Sequence, residues 1–214
     1  MSERRPYRRE TEERRREDLI LAALDLVASG GVQAATVRAI ADRAGVTPGL
    51  IRHYFQTKED LTRAAYHRLM QQMTTDSAAV LDDAPTDPRA RLAQFVAASV
   101  SPPVVDITSV GLWAGFVHDV QRDVAMREVH NATYLAFRDK LQELIAALPR
   151  TAPVAQLRRE AIACNAVIDG LWLEGSILPE GFEPGEIVEI VLSSVGAILG
   201  VDLASTYTPD RTPA

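Results

Sequence analysis

Apolar residues recur at helical spacing along almost the whole chain, and no segment shows the strict alternation of a half-buried strand. At 214 residues, 47% of them hydrophobic, the chain is long enough to bury a sizeable core without disulfides. The sequence therefore predicts an all-α protein of nine helices, three short and six longer. Glycine and proline breaks place a first helix that ends at Gly30, then helices at about 36–44, 47–55, 57–81, 88–100, 106–121, 124–148, 154–178 and 184–199, and a tail over 204–214 that is predicted to be disordered.

The second and third helices are short and lie close together in the sequence. A helix over 36–44 and a helix over 47–55 are joined by a turn at Gly45, a residue that suits a left-handed turn position. Thr36 and Thr47 each precede a helix, where a threonine side chain can cap the first turn. This spacing predicts a helix-turn-helix.

The third helix combines two apolar anchors with a polar side. Ile51 and Phe55 are four residues apart and are expected to point inward. Pro48 and Gly49 are slim, so the start of the helix can approach another molecule closely. Its other exposed residues offer hydrogen-bond donors to phosphates or base edges: Arg52, His53 and Tyr54. We expect this helix to enter the major groove of DNA, although any short amphipathic helical hairpin also has a polar side.

The charge of −6 is unevenly distributed along the chain. Residues 1–68 carry 13 Lys/Arg and 10 Asp/Glu, whereas the remainder carries 10 and 19. A basic N-terminal third favours a polyanionic partner. The arginine-rich segment 4–18 either reaches a neighbouring groove or phosphates, or forms a solvated helix start with Glu–Arg pairs one turn apart.

The segment TVRAIADRAGVTPGLIRHYFQTKEDL (36–61) resembles the DNA-binding signature of the TetR family of bacterial repressors. The matching features are the T-V-x-x-I-A-x-x-A-G-V core, the His-Tyr-Phe that ends the short helix and the following K-E-x-L. Thr57 and Asp60 within it also have the spacing of a capping box. The resemblance extends to the nine-helix plan. It implies a helix-turn-helix DNA-binding domain with its arm over 1–60 and a helical effector-binding and dimerisation domain over 61–203.

The resemblance also implies which residues contact DNA: Thr36, Arg38, Thr47, Pro48, Gly49, Leu50, Arg52, His53, Tyr54 and Lys58. Thr36 and Lys58 are expected at phosphates, the latter helped by the dipole of the fourth helix. Arg52 stands where related proteins often carry an aromatic residue. It either makes a bidentate contact to guanine or holds a phosphate, so base preference does not transfer from relatives.

The two last helices are predicted to form a homodimer interface. Residues 161–168 carry no charge and are apolar almost all round, which implies burial on two sides. Pairing by a twofold axis would give a four-helix bundle, and a monomeric core is the alternative. The residues predicted at this interface are Leu157, Ala161, Ile168, Ile187, Val191, Ser194, Val195 and Ile198.

The segments 113–127 and 167–177 resemble the C-terminal domain of BetI-type, choline-responsive repressors of the TetR family. A choline-like cation would need aromatic faces and a carboxylate. The candidate effector-binding residues are Trp113, Phe116, Asp119, Tyr134, Phe137, Asp169, Trp172 and Glu174. Aromatic residues at helical spacing are also typical of an ordinary core, and a buried Asp169 can serve a structural role by pairing within the fold.

Other chemistries find little support in the sequence. It contains no G-x-S-x-G, no H-E-x-x-H and no glycine-rich phosphate loop, so we expect neither an enzyme nor a cofactor. His118 and His130 are too far apart for one helix face, which argues against a metal site. Cys164 is expected to be a packed small hydrophobe. One cysteine, no secretory signal and no long apolar run favour a cytoplasmic protein without a membrane partner.

Together these features predict a cytoplasmic, ligand-responsive transcriptional repressor. It is expected to bind a palindromic or pseudopalindromic operator as a homodimer and to be released by a small-molecule effector. The alternatives are an effector-independent DNA-binding protein, which would show salt-dependent binding without sequence preference, and a helical small-molecule enzyme. The sequence names neither the operator nor the effector.

Overall fold

The computed structural model describes residues 5–209, with side chains from Glu12 onward. Over this range the chain forms nine α-helices and no strand: α1 (Arg5–Gly30), α2 (Val37–Arg43), α3 (Pro48–Tyr54), α4 (Lys58–Ala79), α5 (Pro88–Ala98), α6 (Ile107–Arg122), α7 (Val124–Ala146), α8 (Val154–Ile177) and α9 (Glu186–Leu199). Short 3-10 helices lie at Val32–Ala34, Pro179–Gly181 and Ala204–Thr206. The all-α prediction is confirmed, and the helix ends differ from the predicted ones by at most two residues. None of the helices in the described range has the length and apolar character of a membrane span.

Local side-chain chemistry sets where several helices begin. The Thr36 hydroxyl accepts a hydrogen bond from the Ala39 N–H at 3.1 Å and caps α2, as predicted. At the start of α4 the Thr57 N–H donates to the Asp60 carboxylate at 3.0 Å, and the Asp60 N–H donates to the Thr57 hydroxyl at 3.1 Å. The predicted capping box is therefore confirmed. Helix α9 begins after Gly185, whose φ of 85° is left-handed.

The chain divides into two compact units. The N-terminal unit contains the residues up to Leu69 together with Gly111–His130, and the C-terminal unit contains Met70–Val110 and the residues from Asn131 on. The division falls within α4, α6 and α7. The functional division near residue 60 stays a prediction.

The N-terminal unit is built on side chains from α1 to α4 and from α6. Its most deeply buried residues include Leu19, Ile20, Ile40, Ala41, Ile51, Leu61, Tyr66 and Phe116. The rings of Tyr66 and Phe116 lie with their centroids 5.3 Å apart. This core supports the short helices α2 and α3 from one side.

The C-terminal unit has a continuous apolar core between α5, α7, α8 and α9. It includes Leu92, Phe95, Val96, Leu141, Ile145, Ala161, Cys164, Ile168, Val191, Leu192 and Val195. Helices α8 and α9 pack against each other.

The end of the chain is more ordered than predicted. Leu203 is buried, Tyr207 packs against the core of the C-terminal unit, and the Gln94 side chain donates to the Thr208 carbonyl at 2.7 Å. These contacts give residues 204–208 a defined place, contrary to the predicted disorder. Residues 1–4 of the predicted arm and 210–214 of the predicted tail lie outside the described range.

Candidate functional site

Helices α2 and α3 form a helix-turn-helix. Gly45 in the turn has a φ of 64°, the left-handed conformation that the sequence predicts. The Val46 N–H then donates to the Ala41 carbonyl at 2.9 Å and closes the turn. Ile51 and Phe55 are 2% and 4% exposed, so both anchors point inward as predicted. With these two side chains fixed, the opposite side of α3 faces outward.

The residues predicted to contact DNA lie on this outward side or at its edge. Thr36, Arg38, Thr47, Pro48, Gly49, Arg52 and His53 are exposed, and Leu50, Tyr54 and Lys58 are partly buried. Contrary to expectation, the Thr47 hydroxyl makes no capping hydrogen bond to the first turn of α3. A methyl group added at Gly49 would meet only the Thr47 hydroxyl, at 3.9 Å. Packing within the chain therefore does not require a glycine at position 49. Gly49 keeps the start of α3 narrow where the helix faces outward.

The arginine-rich segment is partly integrated into the N-terminal unit. Its backbone is helical from Arg5, as the first part of α1. The Arg16 guanidinium lies 4.9 Å from the centroid of the Phe55 ring, a cation–π contact. Glu17 accepts a hydrogen bond from Arg68 of α4 at 2.6 Å. For this end of the segment the contacts of Arg16 and Glu17 favour the helix start over an arm that reaches a neighbouring groove or phosphates.

Arg63 joins the beginnings of two helices within the N-terminal unit. Its guanidinium donates to the Asp60 carboxylate at 2.5 Å and to the Asp123 carboxylate at 3.0 Å. The second oxygen of Asp60 caps α4, and the second oxygen of Asp123 accepts the Ala125 and Met126 N–H groups at the start of α7. We call the Asp60–Arg63–Asp123 arrangement the Arg63 clasp. It holds the first turn of α4, where Lys58 lies, to the α6–α7 corner.

Hydrogen bonds keep both carboxylates of the Arg63 clasp ionised. The Thr57 hydroxyl, followed by Arg63, lowers the pKa of Asp60. The Met126 N–H, with smaller contributions from Ala125 and Arg63, lowers the pKa of Asp123. Each shift stabilises the charged form, because the partners donate to a carboxylate and not to a carboxylic acid.

Three candidate effector residues fall in the N-terminal unit. Phe116 has no accessible surface and packs on Tyr66, so it is a core residue. Trp113 and Asp119 are partly buried. The expected role of Phe116 in lining an effector site is therefore not supported, because its ring is enclosed by its own unit.

The other aromatic candidates lie in the C-terminal unit. Trp172 is 8% exposed, and its indole N–H donates to the Val104 carbonyl at 2.9 Å. Phe137 packs against Phe95, with the ring centroids 5.2 Å apart. Glu174 is exposed. Trp172 and Phe137 thus behave largely as core aromatics, which is the alternative that their helical spacing left open.

A polar cluster in the C-terminal unit joins two predicted residues with one that sequence reasoning missed. The Tyr134 hydroxyl donates to the Asp169 carboxylate at 2.5 Å. The Asn165 side-chain nitrogen donates to the Tyr134 oxygen at 2.6 Å and to the same Asp169 oxygen at 2.7 Å. Burial, with the bond to Asp169, raises the pKa of Tyr134 to about 12. The sequence feature that could have identified Asn165 is its amide side chain within the apolar segment 161–168, one turn before Asp169.

Half of the residues predicted at a dimer interface are enclosed by the C-terminal unit itself. Ala161, Ile168, Val191 and Val195 are at most 2% exposed. A side chain surrounded by its own chain offers no surface to a second copy, so burial argues against direct contacts from these four, and their place at an interface stays a prediction. The others are partly buried or exposed: Leu157, Ile187 and Ser194 are partly buried, and Ile198 is 37% exposed.

A different strip of α8 is exposed and apolar. It contains Ile162, Ala166, Gly170, Leu173 and Ile177, which are spaced four, four, three and four residues apart. A methyl group added at Gly170 would meet nothing, so the strip has a shallow point at its middle. Helix α9 exposes the small or apolar Ser193, Ala197 and Ile198. We call these two sets of residues the outer strips of α8 and α9.

Cys164 and His130 each have defined surroundings within the fold. Cys164 is fully buried, and burial raises the pKa of its thiol to about 12, so it packs as a small hydrophobe as predicted. His130 is hydrogen bonded to the Tyr66 hydroxyl at 2.7 Å. Within the described range, no group of three or more His, Cys, Asp or Glu residues is placed to hold a metal ion.

Two family models match successive stretches of the chain. Residues 19–65 match bacterial regulatory proteins of the tetR family. Residues 88–200 match the C-terminal domain of BetI-type transcriptional repressors, and this stretch is more than half of the chain. The first match contains the helix-turn-helix, and the second contains the polar cluster and both outer strips.

Individual proteins show the same likeness along the chain. An HTH-type transcriptional regulator BetI from Burkholderia lata is 30% identical over 164 residues, which are 76% of this chain and 82% of that protein. The crystal structure of a Pseudomonas aeruginosa PAO1 protein, described as a transcriptional regulator, is 30% identical with a TM-score of 0.79, over 91% of this chain and 94% of that one. A Saccharomonospora viridis protein, also described as a transcriptional regulator and solved in complex with choline, is 19% identical with a TM-score of 0.66, over 82% of this chain and 92% of that one. The last likeness concerns the fold alone.

Proposed function

This chain belongs to the TetR family of bacterial transcriptional regulators and is a BetI-type repressor, and we propose that it binds a palindromic or pseudopalindromic operator as a homodimer and releases it when a small-molecule effector binds. The family consists of regulators and not enzymes. The proposed place of action is the cytoplasm, where the operator DNA lies. Effector binding would shift the population of conformers away from the one that fits both half-sites.

The observation that carries the DNA-binding proposal is the slim, exposed start of α3 above two buried anchors. Ile51 and Phe55 fix the helix, while Pro48 and Gly49 keep its N-terminus narrow. A helix presented in this way fits the major groove of DNA. Thr47, with its hydroxyl not used in capping, would lie at the groove entrance.

The remaining proposed contacts position the protein or read bases. Thr36 and Lys58 would hold phosphates at the starts of α2 and α4, where helix dipoles add to the attraction. Leu50 would contact a thymine methyl group. Arg38, His53 and Tyr54 would contact the backbone. Arg52 is the exposed side chain with the reach and the paired donors for a guanine.

The DNA-binding proposal is tested with the change Arg52→Ala. The operator is first selected from random or genomic DNA with the wild-type protein, and affinities are then measured by fluorescence anisotropy. We expect a loss of about 1–3 kcal/mol per half-site. Arg89→Ala is the matched control, because it removes an exposed arginine of the C-terminal unit. Equal affinities of the two variants would contradict the proposed interface.

The same variant separates the two roles left open for Arg52. If Arg52 reads guanine, its removal relaxes selectivity at one operator position. If it holds a phosphate, affinity falls evenly across sequences and the slope of affinity against salt becomes shallower.

We propose that the homodimer forms through the outer strips of α8 and α9. Ile162, Leu173 and Ile177 are 36–53% exposed, although they are large and apolar. The exposed Gly170 costs helix stability relative to alanine without relieving any clash within the chain. The exposed apolar side chains and the exposed glycine are both explained if a helix of a second copy packs closely on this strip, because small residues let two helix backbones approach.

The dimer proposal is tested with Leu173→Glu, followed by analytical ultracentrifugation and operator binding. We expect a monomer with strongly reduced operator affinity, because two half-sites are no longer engaged together. Leu135→Glu on α7 is the matched control, since Leu135 is 39% exposed and Leu173 is 37% exposed. A Leu173→Glu protein that remains dimeric would place the interface elsewhere.

The effector is proposed to bind in the C-terminal unit. Tyr134 and Asp169 are the predicted effector residues that meet in a polar cluster, and both are partly buried. Choline is the first compound to test, because the Saccharomonospora viridis protein of the same fold is solved with it. A ligand at 100 times its dissociation constant adds about 2.7 kcal/mol to the native state, which a thermal-shift measurement detects. An operator complex that no small cation or metabolite alters would favour the effector-independent alternative.

A further inference from the structure

Asn165 carries a buried carbonyl oxygen, Oδ1, that has no hydrogen-bond partner. The residue is 2% exposed. Its amide nitrogen donates to Tyr134 and to Asp169, which uses both of its N–H bonds. An ionised carboxylate only accepts hydrogen bonds, so the nitrogen must be the atom that faces Asp169. Oδ1 is therefore directed away from the cluster.

The neighbouring tyrosine does not satisfy this oxygen. The Tyr134 hydroxyl has one proton, which it donates to Asp169 at 2.5 Å. Burial, with the bond to Asp169, raises the pKa of Tyr134 to about 12, so the hydroxyl keeps that proton at neutral pH. The three side chains fix one another, and Asn165 Oδ1 is left as an acceptor aimed outside them.

Polar side chains continue along the same side of α8. Asn165, Asp169, Trp172 and Ser176 fall within about 60° of one another on an ideal helix. The Trp172 N–H is bonded to a backbone carbonyl, whereas the buried Ser176 hydroxyl is a second polar atom without a partner. Buried polar atoms without partners are rare because they destabilise a fold. Two of them on one side of a helix are interior positions at which a bound small molecule would supply the missing hydrogen-bond partner.

We propose that Asn165 and Asp169 form the polar anchor of the effector site, and that the effector brings a hydroxyl or N–H donor to Asn165 Oδ1. The inference rests on the proposed function and specifies the ligand class. An acceptor beside a carboxylate favours a donor and disfavours an anion. The class is a small alcohol or amine, neutral or cationic, and excludes carboxylates and phosphates.

This anchor recognises a different part of a choline-like molecule than an aromatic box does. An aromatic box binds the quaternary ammonium group, which has no hydrogen-bond donor. Phe116 has no accessible surface and Trp172 is 8% exposed, so neither presents an open ring face. The polar anchor instead requires the hydroxyl group.

Four probes separate the two modes of recognition on the full-length protein. Choline and ethanolamine carry a hydroxyl group, whereas tetramethylammonium and glycine betaine carry no donor, and betaine adds a carboxylate. We expect calorimetric titration to show choline and ethanolamine binding at least about tenfold more tightly than the other two. Equal binding of choline and tetramethylammonium, or no binding of either hydroxyl compound, overturns the proposal.

Two variants locate the acceptor. Asn165→Leu removes Oδ1 while nearly preserving side-chain size, and it should abolish the preference for hydroxyl-bearing probes. Ser99→Ala is the matched control, because it removes a buried hydroxyl of the same unit that already donates to the Phe95 carbonyl at 2.8 Å, so it should keep that preference. Asn165→Ala serves as a second variant if Asn165→Leu unfolds. Retained preference in the Asn165 variants, or equal loss in Ser99→Ala, overturns the assignment of Oδ1.

Operator binding in the same samples separates this inference from the proposed function. Wild-type protein that binds its operator but shows no selectivity among the probes contradicts only the donor requirement. Wild-type protein that selects no operator contradicts the repressor proposal itself, whatever the probes do.

Discussion

The residues proposed to act are exposed on α3, whereas on α8 the proposed anchor Asn165 is buried. Helix α3 has seven residues, and among them only Ile51 is buried, so the residues proposed to read DNA are exposed by default. Helix α8 has 24 residues, and its buried set includes the polar Asn165 and Ser176. A short helix that packs on one side leaves most of its side chains exposed, so residues that contact a partner lie on its outer side. On its core-facing side a long helix such as α8 buries polar groups, and their role depends on which hydrogen-bond partners they meet there.

The largest expected effect comes from removing one anchor in each unit. Ile51 and Ile168 are both 2% exposed, and each isoleucine-to-alanine change should cost about 2–5 kcal/mol of unfolding free energy. We expect Ile51→Ala to weaken operator binding as well, because α3 loses its inward contact. Ile168→Ala should leave operator affinity nearly intact at temperatures where the protein stays folded. Denaturant unfolding and fluorescence anisotropy measure the two quantities.

Equal loss of operator affinity in both variants would contradict the proposed difference between α3 and α8. It would mean that the packing of α8 sets the position of the recognition helices as strongly as the anchor of α3 does.

Two glycine-to-alanine changes should differ in sign. At Gly196 of α9 an added methyl group would lie 2.7 Å from the Val201 carbonyl oxygen, so backbone must move, and we expect a loss of about 1–3 kcal/mol. At Gly49 the added methyl group meets no protein atom closer than 3.9 Å, and alanine should stabilise α3 by about 0.5–1 kcal/mol. The Gly49→Ala protein should nevertheless bind operator more weakly, because the slim start of α3 is filled. Thermal unfolding and anisotropy test both statements.

The smallest expected effect concerns acid stability and the Arg63 clasp. The folded pKa of Asp123 lies below its ordinary value of 3.8, so the unfolded chain binds the proton more readily. The stabilisation is complete above pH 3.8 and is lost as the pH falls through the folded pKa. Asp123→Asn keeps an N-cap for α7 but does not titrate. Its melting temperature should therefore fall less than that of the wild type between pH 5 and pH 3, a pH range chosen about the ordinary carboxyl pKa.

Glu143→Gln is the control for the pH experiment. The Glu143 side chain is 70% exposed in its pair with Lys140, and exposed pairs contribute little. This variant should follow the wild-type pH profile. If the melting temperature of Asp123→Asn follows the same pH profile as that of the wild type, the Arg63 clasp makes no measurable contribution to acid stability.

The predictions from sequence succeeded where the physical cause is local. The cap of Thr36 on α2, the capping box of Thr57 and Asp60, and the left-handed Gly45 each depend on residues within one turn. The inward direction of Ile51 and Phe55 follows from their spacing alone. These features are set by short-range sterics and hydrogen bonds, which a sequence states directly.

Helix α8 has two apolar strips that the dimer prediction did not distinguish. One strip, with Ala161 and Ile168, faces the core, and the other, with Ile162 and Leu173, is exposed. Periodicity reveals that both strips exist, but it does not state which of them the rest of the chain covers. The choice depends on where α7 and α9 pack.

The all-helical plan, the helix-turn-helix and the family follow from the sequence, because periodicity, caps and the 36–61 motif are properties of neighbouring residues. Which residues of distant segments meet depends on the packing of the folded chain. Tyr134 lies in α7 and Asn165 in α8, whereas Arg63 lies in α4 and Asp123 between α6 and α7. Their hydrogen bonds exist because folding brings these segments together. A helical pattern fixes the face on which a side chain lies, but the partner opposite that face is chosen by the packing of the whole unit.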